Sequence, residues 1–208
     1  MQQRIYDRTR PADAPPSPSR ENFMALIAEL QNIRDQVDAN SQRMQELCAG
    51  LSEAQLAWRP AETRWSIAEN LLHLERTAQI FFLIIDRAVE DARRDGRLSN
   101  GPFKLGFMGK LFVKYSEPPP KIRLSAPKPL RVLLDGPAAD ALPRFLASQE
   151  QWKQRLESAN GVDIVRTRIT SPFASFVKMS LFALFSVGPA HERRHIWQAS
   201  NVHRELPA

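Results

Sequence analysis

A chain of 208 residues, 43% hydrophobic and 25% charged, has the make-up of one ordinary globular domain. At that size it buries about 70% of its unfolded surface, so neither a disulfide nor a metal is needed to hold the fold together. The formal charge of +6 admits an anionic partner, but Lys and Arg are spread over every segment without a nucleic-acid motif, so nucleic acid is not an expected partner.

Cys48 is the single cysteine, which rules out an intrachain disulfide and fits a reducing, cytoplasmic setting; it reads as a buried, inert thiol. The N-terminal residues lack the charged-then-apolar pattern of a leader. The most apolar window, Phe173 to Val187, contains Lys178 and is shorter than the roughly 20 residues a bilayer span requires. It reads as a core helix, and no membrane partner is expected.

Residues 1–18 carry Pro11, Pro15, Pro16 and Pro18 among charges and read as a flexible tail, leaving 19–208 as the domain. Phe23, Leu26, Ile27, Leu30, Ile33, Val37, Met44 and Leu47 mark a first amphipathic helix from about Glu21 to Ala49, stopped by Gly50. Leu51 to Thr63 reads as a connection. Ser66 followed by Glu69 is a capping box that opens a second helix, with Ile67, Leu71, Leu74, Ala78, Phe81, Ile85, Val89 and Ala92 inward and an end near Gly96. Trp65 before the cap and Asn70 do not form a hydrophobic staple, so Trp65 is left to pack against neighbouring chain.

The segment 95–137 is rich in proline, including Pro118-Pro119-Pro120, and reads as a long crossover capping one end of the bundle, with a short helix around Leu105, Met108, Leu111 and Phe112. A third helix is expected from Ala138 to Ala159. A fourth is expected to start with Ser171 as N-cap and Pro172 as its first residue, and to be kinked at Gly188-Pro189. Four amphipathic helices, one long crossover and no convincing strand predict an all-α four-helix bundle.

The fourth helix carries His191 and His195 on a stripe that also holds Val177, Leu181, Leu184, Gly188, Gln198 and Val202. Spaced i and i+4, the two imidazoles are either satisfied core histidines or two ligands of one metal ion. If the second and fourth helices are neighbours, His73 joins them, and three neutral imidazoles leave zinc or an octahedral ion such as nickel with open positions. His203 lies off that face. His191-Glu192-x-x-His195 also has the letters of a zinc-protease motif, but the third-ligand position of its extended form is Asn201 and only thirteen residues follow His195. Glu192 as a general base for another hydrolysis stays open.

The strings Trp65-Ser66-Ile67-Ala68-Glu69-Asn70-Leu71-Leu72-His73-Leu74 and His191-Glu192-Arg193-Arg194-His195-Ile196-Trp197-Gln198, with Leu56 and Arg59-Pro60 upstream, resemble the DinB-like (YfiT-like) superfamily over about residues 22–202. The resemblance implies a four-helix bundle, a divalent metal on His73, His191 and His195, and often a homodimer. Several members use low-molecular-weight thiols such as bacillithiol or mycothiol. The chain departs from the family in its long 95–137 segment.

Three readings of function follow. The first is a thiol-dependent transferase acting on a small molecule. The second is metal-assisted hydrolysis with Glu192 or Glu69 as base. The third is a non-enzymatic, stress-related binding or scaffold protein. Arg194 and Gln198, which flank His195, are candidate substrate contacts.

Overall fold

A computed structural model describes residues 25–120, 130, 132–134, 136–171 and 174–207. The expected tail at 1–18 lies outside them. Helices α1 (Ala28–Cys48), α3 (Ile67–Arg94), α5 (Ala141–Ser158) and α6 (Leu181–Arg204) form the bundle. Between them come α2 (Glu53–Ala57), α4 (Phe107–Ser116) and a hairpin of β1 (Arg168–Ser171) and β2 (Ala174–Ser180). α1 and α3 each pack against both α5 and α6, so the helices run round the bundle in the order α1, α5, α3, α6. That order makes α3 and α6 neighbours, which the histidine argument requires.

The eight inward positions expected of α3 are all buried. Its capping box is present in both directions. α1 starts at Ala28; the expected start near Glu21 lies outside the described residues, and just before α1 Asn160 holds the chain: its Oδ1 accepts from the Ile27 amide at 3.2 Å and its Nδ2 donates to the Ala25 carbonyl. The Leu51–Thr63 connection holds an element after all. Ser52 and Gln55 form a second capping box that nucleates the one-turn α2, which packs against α3.

The largest correction concerns the expected start of the fourth helix. Ser171 is not its N-cap; it ends β1, and Ser180 caps α6 by accepting from the Ala183 amide at 3.1 Å. The hairpin is antiparallel, pairing Ile169 with Met179 and Thr170 with Lys178. Phe176 and Lys178 are exposed while Val177 and Met179 are half-buried, an alternation of period two that belongs to a strand. Val177 therefore leaves the helical stripe, and the apolar window is split between β2 and α6. Pro189 lies inside α6, which runs on through it.

The core falls into two apolar clusters. One gathers Phe82, Ile85, Trp152, Leu156, Leu181 and Phe185; the other gathers Met44, Ile67, Leu71, Phe145, Ile196 and Ala199. Buried Asn40, His73, Thr77, Gln149, Glu192 and His195 interrupt the apolar interior, a pattern that marks a site and not only a core.

Candidate metal centre

The site is built outward from the start of α3. Ser66 Oγ accepts from the Glu69 amide at 3.1 Å and Glu69 Oε2 accepts from the Ser66 amide at 2.9 Å. The same carboxylate, fully buried, also receives Arg59 Nε at 2.8 Å and an Nη2 bond from that guanidinium. A buried carboxylate needs such partners. With all of them in place Glu69 is a helix-start anchor, and it fixes the turn from which Asn70 and His73 project.

Asn70 then sets the orientation of His195. Its Nδ2 donates to the Ser66 carbonyl at 2.8 Å, which turns Oδ1 toward α6, where it accepts from His195 Nδ1 at 2.9 Å. The proton of His195 is thereby on Nδ1 and its lone pair on Nε2. His73 is set in the same way by the crossover: its Nδ1 donates to the Leu130 carbonyl at 2.9 Å. Carbonyl partners on the far ring nitrogen are the usual means of fixing a metal-binding tautomer.

His191 Nε2 lies 3.1 Å from His195 Nε2. Two nitrogens bound tetrahedrally to one ion at about 2.0–2.1 Å stand roughly 3.3 Å apart, so this pair is already at a ligand–ligand spacing. One ligand atom from each of His73, His191 and His195 lies within 4.8 Å of the others. The His73 and His195 ring centroids are 4.5 Å apart, those of His191 and His195 4.6 Å. Among the described residues no Asp, Glu or Cys joins this cluster.

Burial holds all three rings neutral. It pushes His73 below the usual imidazole range, and it drives His195 well below it with help from the neighbouring histidines and Arg194. His191 is pushed down to about 3, first by burial, then by His73 and Arg194. Neutral imidazoles, two of them with their lone pairs directed by an Nδ1 hydrogen bond, suit a divalent ion of borderline softness.

Trp65, half-buried, closes one side. Its ring centroid is 4.7 Å from that of His73 and 5.8 Å from that of His195, lying 26° from parallel with the latter. The chain that Trp65 packs against is thus the histidine cluster itself.

The other candidates are not ligands in the cluster. Glu192 is buried and turned toward α1, where Asn40 Nδ2 donates to its Oε2 at 2.9 Å and to the Pro189 carbonyl at 3.0 Å; desolvation raises its carboxyl to about 7. Arg194 donates from Nη2 to the Tyr115 carbonyl at 2.6 Å. Gln198 lies one turn beyond His195 and is half-buried, and His203 is exposed.

Asn70, Leu130, Trp65 and Arg59 are the parts that reading the sequence did not assign to the site. A buried Asn three residues before His73 could have been flagged from the helix pattern. Leu130 acts through its backbone and leaves no side-chain signature.

Comparison with known proteins agrees with this architecture. A search of curated proteins finds no match. Among solved structures, YfiT from Bacillus subtilis, described as "a probable metal-dependent hydrolase with an unusual four-helix bundle topology", superposes with a TM-score of 0.55 over 93% of each chain at 11% identity. The family model of the DinB superfamily matches residues 36–199, a stretch that takes in the histidines of both helices. The chain belongs to the DinB superfamily.

Proposed function

We propose that the chain is a metal-dependent enzyme whose divalent ion, zinc or nickel, is held by His73, His191 and His195, and whose substrate is a small molecule. The observation that carries this reading is the pair of Nδ1 hydrogen bonds, His73 to the Leu130 carbonyl and His195 to Asn70, which put both Nε2 lone pairs on the side away from those partners, in a cluster with the half-buried His191. A divalent ion bound there supplies Lewis acidity that activates a small nucleophile, and three protein ligands leave it open positions.

Thiol transfer is the preferred reaction. A thiol sulfur bonds to the electrophilic carbon as its S–H proton passes to solvent, the bond from that carbon to its leaving group breaks with the electron pair departing on the leaving group, and no protein base is required. That suits a site whose nearest carboxylates are engaged elsewhere, Glu69 by Arg59 and the Ser66 amide, Glu192 by Asn40. Trp65 shields the rings from water on one side. Arg194 and Gln198, flanking His195, are assigned to orienting the substrate. The homodimer implied by the family resemblance is part of this reading.

Hydrolysis, with water as nucleophile, is the second reading and draws on the likeness to YfiT. The two are separated by assaying untagged, metal-reconstituted protein for thiol conjugation to a generic electrophile and for ester and amide hydrolysis. Metal-dependent thiol consumption, abolished in His195→Ala and kept in Glu192→Gln, is the expected result. Hydrolysis without thiol consumption would replace the first reading by the second. Activity untouched by His195→Ala would remove both.

A further inference from the structure

The amphipathic helix α4 faces the wrong way for an ordinary surface helix. At 100° per residue, Phe107, Leu111, Tyr115 and Met108 share one arc of about 100°. Most of that arc is turned away from the bundle: Phe107 is 78% exposed, Met108 53% and Tyr115 46%, while Leu111 between them is half-buried. The opposite side is pressed onto α6 at buried Gly109, where an added Cβ would stand 3.3 Å from Ala183 Cβ. The helix is also tied down at its end, by Arg194 on the Tyr115 carbonyl and by Arg193 Nε on Glu117 Oε2 at 2.9 Å. Its apolar face is therefore a fixed feature of the surface.

β2 packs beside α4 and adds Phe176, which at 88% is the most exposed large apolar side chain among the described residues. Exposed Lys110 and Lys114 border the α4 arc, with Lys104 just before the helix and Arg168 and Lys178 on the hairpin. Among the described residues no carboxylate pairs with any of these five cations. The fold thus brings basic residues that are scattered along the sequence onto two adjoining elements, α4 and the hairpin, which also carry the exposed Phe107, Met108 and Phe176.

A second copy of the chain is a poor occupant. Meeting this face across a two-fold axis, it would set the basic border of one copy against the same basic border of the other, with no paired acid among the described residues to answer it. A leaflet with anionic headgroups answers both features, taking the rings into its acyl boundary and leaving the ammonium groups among phosphates. We propose that α4 and the β1–β2 hairpin form a peripheral docking surface for anionic lipid membranes. No helix among the described residues is long and apolar enough to cross a membrane, so the contact is one of lying on the surface. The expectation of no membrane partner came from the lack of a spanning segment, which leaves surface contact untouched.

The test is co-sedimentation of the full chain with vesicles of 30% phosphatidylglycerol in phosphatidylcholine and with pure phosphatidylcholine. Binding to the first and at least tenfold less to the second is expected. Lys110→Gln with Lys114→Gln should lower the partition coefficient about 25-fold, from about fivefold per lysine, and Phe107→Ser with Phe176→Ser should abolish binding, each with an unchanged thermal unfolding curve. Equal or absent sedimentation with both vesicles, or binding indifferent to these substitutions, would overturn the proposal. So would a dimer that Phe107→Ser dissociates in a chain that ignores vesicles, since the face would then belong to a second copy.

Discussion

The two ends of the bundle bury side chains equally well and do so with opposite chemistry. Around Trp152 the interior is apolar: the Phe81, Phe82 and Phe185 ring centroids lie 6.4, 5.3 and 6.3 Å from it, and a Cβ on Gly188 would come within 3.0 Å of its ring. At the other end the same helices bury Glu69, Asn70, His73 and His195, every one of them in a hydrogen bond. Close packing supplies stability at the first end, whereas the second spends stability on orienting groups. Substitutions at the two ends should therefore fail differently.

The largest difference is expected in the pH response of metal-free protein. The three imidazoles are held below their ordinary value, so between that value, about 6.5, and their depressed folded values the unfolded chain carries more protons. Their contribution to stability is complete above pH 6.5 and is lost as pH falls through that window, which reaches down to about 3 for His191. Glu192, raised to about 7, acts in the opposite sense between about 7 and 4.5, with one proton against as many as three. Urea midpoints measured from pH 7.5 to 5 should fall, and the slope should be shallower in His195→Gln but unchanged in Phe82→Ala. A flat profile would mean the cluster is not held neutral by the fold.

Next in size is the apolar end. Trp152→Ala or Phe82→Ala should cost about 3–5 kcal/mol of unfolding free energy, read from urea curves. The metal stoichiometry of the folded fraction should stay the same. Asn70→Ala should weaken metal binding by about 10–100-fold, measured by chelator competition, because His195 loses the acceptor that fixes its tautomer. Smaller again, Ser66→Ala should cost about 1 kcal/mol of stability and leave one ion bound per chain. If Trp152→Ala also lost the metal, the two ends would not be separable.

The features of this contrast that could be read in the sequence are those written in side-chain periodicity. The α3 stripe, its Ser66–Glu69 box and the i, i+4 spacing of His191 and His195 all declare themselves, because helix geometry turns spacing into position. The hairpin was hidden because Ser171-Pro172 imitates a helix start, and because Val177 happens to fall in register with the α6 stripe. α2 leaves no periodic signature since one turn offers too few residues for a period, although Ser52 and Gln55 carry the same cap chemistry as Ser66 and Glu69. The role of the crossover at His73 runs through a backbone carbonyl, which any residue at position 130 could offer. For α4 the pattern announced an amphipathic helix without saying that its apolar side faces out, since direction depends on what the helix packs against.

The most direct test of the three-histidine centre is metal analysis of untagged protein, purified without added metal and then dialysed against a divalent ion, beside His73→Ala and His195→Ala. One tightly held ion per chain in the parent, and none in either variant with the helical fold intact, is the result predicted. Far less than one ion in the parent, or the same content in all three proteins, would contradict it.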